Sequence, residues 1–196
     1  MPAGDHKGDI ASGATVKPVP PVPAGPPQMQ SSLLIPVPEA DSVIGRFRYA
    51  HDPLAAAGVP AHITLIVPWV DPTRIDETTL ADLDYALVDV EPFEFDLTHV
   101  DWFGRRILWA APEPSQPFVE LISRLSQRYG TPPWAGQFDE VIPHLTIAHA
   151  GPGGRVVSAA ADVAVRLPLR CRADEVWVMV GGGDSWTVVH TIRLSG

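Results

Sequence analysis

The sequence contains little that could bind a metal through thiolates or anchor the chain in a membrane. Cys171 is its one cysteine, which excludes an internal disulfide and a cysteine-cluster zinc site. It has no apolar run of about 18 residues, so no membrane-spanning helix is predicted. The N-terminus also lacks the basic and then apolar segments of a secretory signal, and the protein is therefore expected in the cytoplasm.

Positive charge is also scarce. The chain carries 14 basic and 23 acidic residues, for a formal net charge of −9. This balance argues against binding to long duplex nucleic acid, which needs many cationic phosphate contacts. The only lysines are Lys7 and Lys17, so a phosphate pocket farther along the chain must use arginine, histidine, hydroxyls or backbone N–H groups. A small anionic substrate remains compatible with this composition.

Proline is concentrated near the N-terminus. Six prolines fall within residues 16–27, and this segment has no periodic apolar face. Residues 1–30 are therefore predicted to form a disordered or polyproline-like tail. Residues 31–196 are apolar enough to bury a core and suit one folded domain.

The secondary-structure pattern of the folded part favours an α+β fold with antiparallel strands, because helices and strands are mixed and two hairpins are predicted at glycine turns. No glycine-rich nucleotide-binding loop is present. The predicted strands are 32–37, 62–67, 93–103, 106–110, 144–148, 175–180 and 186–194; the predicted helices are 38–49, 75–88, 118–129 and 156–165; residues 55–59 are predicted to form a loop.

One short pattern, His-x-Thr followed by an apolar residue, occurs twice in predicted strands. The first copy contains His62 and Thr64, and the second contains His144 and Thr146. Residues i and i+2 of a strand point to the same face, so each histidine shares a face with its threonine. If the two strands are adjacent, two imidazoles and two hydroxyls face one cleft.

This set of side chains suits chemistry at phosphorus. Two histidines that titrate near neutral pH can act as a general base and a general acid. Two threonine hydroxyls can donate hydrogen bonds to the non-bridging oxygens of one phosphate. The set predicts in-line attack at phosphorus without a metal or another cofactor.

With their flanking sequences, the two motifs resemble the 2H phosphoesterase superfamily, and within it the branch of 2′-5′ RNA ligases and cyclic phosphodiesterases. The similarity covers residues 31–196. It implies an α+β fold with two pseudo-symmetric lobes, antiparallel sheets and a central cleft. The segments that carry the resemblance are 58–65 with Pro68, 108–129 and 138–147.

The resemblance also implies an activity and roles for the motif residues. His62 and His144 correspond to the catalytic pair, and Thr64 and Thr146 to the phosphate ligands. The implied reaction is hydrolysis of a 2′,3′-cyclic phosphate, on a small nucleotide or a short RNA end, to a 2′-phosphate. We assign His144 as the base that activates water and His62 as the acid that protonates the 3′ oxygen.

Four further residues are candidates for substrate binding. RNA-acting relatives often carry arginine five residues after the second motif histidine, where this chain has His149. Histidine lacks the permanent charge and the bidentate donors of arginine, so this departure argues against tight phosphate binding and against an RNA-ligase substrate. Arg105 could reach a phosphate from a hairpin tip, or lie in a solvated turn. Trp69 and Trp134 could stack on a nucleobase, or pack in the core or a loop.

Several alternatives stay open. The enzyme could be a 2′-5′ RNA ligase or an RNA 3′-end processing enzyme, or the chain could be a non-catalytic nucleotide-binding module with the same fold. A metal site built from His62, His144 and His149 is disfavoured, because in a continuous strand His149 would face away from His144. The protein is expected to be a monomer, with no membrane partner.

Overall fold

The computed structural model describes residues 28–132, 141–150 and 156–196. Within these ranges helices alternate irregularly with strands that all pair antiparallel, which confirms the α+β class. Residues 1–27 of the predicted tail lie outside the described residues. The strands are β1 (Gln30–Pro36), β2 (His62–Ile66), β3 (Phe93–Phe103), β4 (Ile107–Glu113), β5 (Leu145–His149), β6 (Leu169–Ala173), β7 (Glu175–Gly182) and β8 (Ser185–Arg193). The helices are α1 (Asp41–His51), α2 (Pro53–Ala56), α3 (Glu77–Leu87), α4 (Gln116–Tyr129) and α5 (Val156–Ala164).

The strands form one sheet in the order β6-β3-β4-β5-β2-β1-β7-β8. The two motif strands, β2 and β5, are neighbours at its centre, where Ile63 pairs with Leu145. Each half of the sheet contributes one motif strand and three others, an arrangement consistent with the two lobes that the resemblance implies. The helices cross over between the halves, since α1 packs against β5 and α4 packs against β2.

Each motif strand has a β-bulge immediately after its threonine. The pairing of β2 with β1 shifts by one residue there, and that of β5 with β4 shifts in the same way. As a result Leu65 and Ile66 both enter the main core, as do Ile147 and Ala148. A bulge adds one residue to the alternation, so the residue after it returns to the motif face. In β5 that residue is His149.

The main hydrophobic core lies on the face of the sheet that the helices cover. Ile63, Leu65, Leu145 and Ile147 belong to it, as strand alternation predicted. The opposite face carries the motif histidines and threonines between two smaller apolar clusters. The aromatic cluster consists of Phe103, Ile107, Trp109 and Ala111 with Ile142. The tryptophan cluster consists of Leu34, Val59 and Met179 with Trp177 and Trp186.

Two local elements differ from the sequence prediction. β6 was not predicted, because this short edge strand buries little more than Cys171 and Ala173 between exposed arginines. The predicted loop at 55–59 overlaps helix α2, which begins after Asp52. The Asp52 carboxylate accepts a hydrogen bond from the Leu54 N–H (3.1 Å), and this capping favours a helical start.

Candidate active site

The two His-x-Thr motifs interlock across the centre of the sheet. Extending the Ile63–Leu145 pairing by one residue in each direction places His62 opposite Thr146 and Thr64 opposite His144. Directly opposed residues of an antiparallel pair lie on the same face, with Cβ atoms roughly 5 Å apart. Each histidine therefore has its own threonine two residues along the strand and the other motif's threonine across the strand.

Backbone carbonyls orient both imidazoles in the same way. The Nδ1 atom of His62 lies 2.8 Å from the Pro60 carbonyl oxygen, and Nδ1 of His144 lies 2.7 Å from the Ile142 carbonyl oxygen. A carbonyl only accepts, so in each neutral ring Nδ1–H donates and Nε2 is the basic atom. The equivalent acceptor, two residues before each histidine, reflects the pseudo-symmetry of the two halves.

His62 is buried beside an ion pair. Burial lowers its pKa to about 4, against the opposing effect of the Pro60 carbonyl. The positive charge of Arg48 also lowers the pKa, whereas the negative charge of Asp52 raises it. His62 is therefore neutral at pH 7 in the unliganded protein, and its protonated form needs added negative charge in the cleft.

His144 is half-buried against the aromatic cluster. Its ring centroid lies 4.8 Å from that of Phe103 and 5.9 Å from that of Trp109, in edge-to-face geometries. Burial lowers the pKa of His144 to about 4, against the opposing effect of the Ile142 carbonyl. Trp109 is buried on the motif face, opposite Thr146.

The sequence reasoning missed the Arg48–Asp52 ion pair. Asp52 Oδ2 lies 2.7 Å from Nη2 and 3.1 Å from Nε of Arg48, and both side chains are almost fully buried. Arg48 Nη1 also donates to the Val59 carbonyl (3.3 Å), next to the residue that orients His62. In the sequence the pair is an ordinary i,i+4 contact of a helix end, which normally lies at the surface, so no local signal marked it.

His149 faces the same side of the sheet as His144, contrary to the prediction from a continuous strand. The bulge at Ile147 and Ala148 supplies the extra residue that reverses its direction. His149 Nε2 lies 3.7 Å from Asp52 Oδ1. Even so, among the described residues no group of three histidine, cysteine or acidic side chains could hold a metal ion.

The other candidate substrate-binding residues are distributed differently. Trp69 is only 3% exposed and packs edge-to-face on Tyr129 in the main core. It therefore has no face to offer a nucleobase, and of the two alternatives left open for Trp69 the structure agrees with packing in the core. Arg105 is exposed in the β3–β4 turn, next to the end of β5. Trp134 lies outside the described residues.

A central pair of His-x-Thr strands in one curled antiparallel sheet defines a 2H phosphoesterase fold. The family model of the 2′-5′ RNA ligase superfamily matches residues 36–185, and the chain belongs to that superfamily. No curated protein matches the sequence. Within the described residues, no helix is both long and apolar enough to cross a membrane.

Solved structures confirm the fold. Escherichia coli LigT in its apo form is 18% identical, with a TM-score of 0.57, covering 88% of this chain and 100% of LigT. LigT complexed with 3′-AMP gives 18% identity and a TM-score of 0.54, covering 87% of this chain and 99% of that one. A protein from Thermus thermophilus is 18% identical with a TM-score of 0.55, covering 85% of this chain and 98% of its own.

Proposed function

We propose that the protein is a phosphodiesterase that hydrolyses 2′,3′-cyclic phosphates to 2′-phosphates with His62 and His144 as general acid and base. The observation that supports this most strongly is the interlocked arrangement of the two motifs at the Ile63–Leu145 pairing. In this arrangement the two imidazoles and two hydroxyls share one face on adjacent strands, with the Cβ atoms of opposed residues roughly 5 Å apart, and this supports binding of one phosphate between them. The reaction needs no metal for these steps.

The phosphate is proposed to bind between the strands. The hydroxyls of Thr64 and Thr146 donate to its non-bridging oxygens, one from each motif. Because the hydroxyls are held on paired strands, they are oriented before the reaction begins, which favours stabilisation of the charge that develops on those oxygens. The phosphate anion also raises the pKa of both histidines, so that one of them can hold a proton at neutral pH.

The proposed reaction is a single in-line displacement. His144 Nε2 takes a proton from water as the water oxygen forms a bond to phosphorus. The bond from phosphorus to the 3′ oxygen breaks, and His62 Nε2–H protonates that oxygen. The products are a 2′-phosphate and a free 3′-hydroxyl, with His144 protonated and His62 neutral; exchange of protons with solvent restores the starting state.

The division of roles rests on the different surroundings of the two rings. The apolar contacts of His144 with Phe103 and Trp109 favour its neutral, basic form. His62 interacts electrostatically with the carboxylate of Asp52, which favours the protonated form of His62. The bound phosphate offsets the opposing effect of the positive charge of Arg48. If His62→Ala and His144→Ala shift the same limb of the pH–rate profile, this division is wrong.

LigT has been crystallised with 3′-AMP, and this supports a small nucleotide as the substrate here. The test is turnover of the four 2′,3′-cyclic nucleotides in the presence of EDTA, with the product isomer identified. We expect a 2′-phosphate from the wild type and loss of activity in His62→Ala and His144→Ala. His190→Ala is the matched control, because His190 bonds to Asp84 (2.8 Å) away from the motif face.

Parallel assays with RNA substrates, and a nucleotide-binding measurement, test the alternatives. Joining of an RNA with a 2′,3′-cyclic end to a 5′-hydroxyl RNA through a 2′-5′ bond would indicate a ligase. Shortening of RNA 3′ ends without turnover of mononucleotides would indicate an end-processing enzyme. Tight nucleotide binding by a folded protein without any turnover would indicate a binding module and contradict the proposal.

A further inference from the structure

We propose that Trp177 is the platform on which the nucleobase of the substrate stacks. This inference rests on the proposed function, since it extends the phosphate site between the motifs to the rest of a nucleotide. Neither the motifs nor the matched family model assigns a role to Trp177. Its position in the sheet, its partial exposure and the packing behind it support the assignment.

Strand pairing places Trp177 on the motif face in line with Thr64. Thr64 is paired with Leu34 of β1, and Leu34 is paired with Trp177 of β7. Residues directly opposed in antiparallel strands share a face, so these three side chains form one row. Two strand spacings separate Thr64 from Trp177, about 10 Å. This is the reach of a nucleoside from its cyclic phosphate to the face of its base.

Of the aromatic side chains described on this face, Trp177 and Trp186 are only partly buried; Trp177 is the one in the row with Thr64, because Trp186 pairs with Gly181, farther along β7. Phe103 and Trp109 are 5% and 2% exposed and already pack against each other and against His144. Trp177 is only partly buried, and it rests on the buried side chains of Leu34 and Met179. One half of the motif face is therefore closed by aromatic packing, and the other half presents a partly exposed indole.

The Trp177 indole is held in place before a ligand arrives. Its Nε1–H donates to the Glu175 carboxylate at 2.9 Å. Glu175 also lies near Arg193 of the neighbouring strand, at 3.5 Å. A ring fixed on a strand inside the sheet loses little conformational freedom on binding, which favours stacking of a flat ligand. Stacking on an indole accepts any base, because every base has a π face.

This placement predicts the class of substrate. Trp177 contributes affinity for a cyclic phosphate that carries a base and none for one that lacks it. We therefore compare 2′,3′-cyclic AMP with ribose 2′,3′-cyclic phosphate. For Trp177→Ala, stacking energies predict a rise of about tenfold in KM for the nucleotide, with kcat and all constants for the base-free sugar close to wild type. Trp177→Phe, which keeps an aromatic face, restores most of the affinity.

The matched control is Trp102→Ala, which truncates another half-buried tryptophan that packs against the main core on the opposite face. It is expected to leave both KM values unchanged. If KM for the nucleotide is unchanged in a folded Trp177→Ala protein, or if both substrates weaken equally, the inference is wrong. If the wild type turns over neither substrate, the proposed function is wrong. The inference is then tested by calorimetric binding of 2′-AMP, for which Trp177→Ala should have a Kd about tenfold higher than that of the wild type.

Discussion

Asp52 Oδ1 lies 3.7 Å from Nε2 of His149, and this contact links the end of α1 to the second motif strand. Asp52 is 1% exposed and already paired with Arg48, whereas His149 is 43% exposed. The carboxylate thus approaches His149 from the buried side, whereas pairing with Ile107 of the aromatic cluster places His149 on the motif face. A titratable ring with a buried anion beside it occupies the position at which RNA-acting relatives often carry an arginine.

We expect His149→Ala to weaken binding of the 2′-phosphate product about fivefold, because a hydrogen bond from the imidazole to the phosphate contributes about 1 kcal/mol. His149→Arg supplies a permanent, bidentate cation and is expected to bind at least as tightly as wild type. Isothermal titration calorimetry with 2′-AMP measures both. Equal affinities for wild type and His149→Ala would remove His149 from the substrate site.

The buried Arg48–Asp52 pair is expected to be strongly coupled. Asp52→Asn leaves the Arg48 cation buried without its counter-charge and should lower the free energy of unfolding by about 3 to 5 kcal/mol. The double variant Arg48→Met with Asp52→Asn should be less destabilised than the sum of the two single variants. Urea denaturation of all four proteins measures the coupling.

An exposed ion pair that joins α1 to α5 provides the control for this double-mutant cycle. Arg46 and Asp162 lie 3.1 Å apart with both side chains more than half exposed. Their coupling should not exceed about 1 kcal/mol. If the two cycles give the same coupling energy, burial does not distinguish the Arg48–Asp52 pair.

The aromatic cluster is expected to control the ionisation of His144. Burial against this cluster lowers the pKa of the ring to about 4, so Phe103→Leu, which opens the cluster to water, should raise that pKa toward the ordinary value of an exposed histidine. An NMR titration of the histidine Cε1–H signals follows His144 and, as an internal control, His62, which lies outside the cluster. An unchanged pKa for His144 would assign the shift to other neighbours.

The pH dependence of activity should differ between the free and the liganded enzyme. The base must be neutral and the acid protonated, and in the free protein the pKa of each histidine is about 4. Above that pH the protonated acid is lost, so kcat/KM should fall as the pH rises from about 5 toward 8. The bound phosphate anion favours the imidazolium, so kcat should peak at higher pH than kcat/KM.

Measurements of kcat and kcat/KM against pH in overlapping buffers test whether kcat peaks at the higher pH. Circular dichroism at each pH establishes that the protein is folded. A kcat/KM that rises from about pH 5 to 8 would contradict it. In that case at least one histidine has a near-neutral pKa in the free protein.

The main elements of the fold were accessible from local patterns. Amphipathic spacing predicted α4 and its end at Gly130, which has the left-handed conformation (φ 63°) that favours glycine. Gly104 likewise turns the β3–β4 hairpin with φ 58°. These features depend on neighbours within a few residues, and the printed sequence contains those neighbours. The strand β6 was missed because an exposed edge strand has a weak apolar pattern.

The sequence by itself determined which residues could perform chemistry. Two His-x-Thr repeats in strands imply two histidine–threonine pairs, because strand alternation is a local property with a period of two. That Ile63 and Leu145 lie in the core follows from the same alternation. Tryptophans that could stack on a base are also visible in the sequence, but the sequence alone does not distinguish the buried Trp69 from the partly exposed Trp177.

Only the tertiary structure decided how these residues meet. The pairing of Ile63 with Leu145 sets the motifs opposite each other, the bulge after Thr146 turns His149 to the motif face, and the row through Leu34 aligns Trp177 with Thr64. Register and bulges depend on hydrogen bonds between strands that are distant in the chain. A residue's local sequence does not specify its partner on another strand. The sequence therefore indicated which types of side chain form the site, and the pairing of the strands determined which of them lie next to each other.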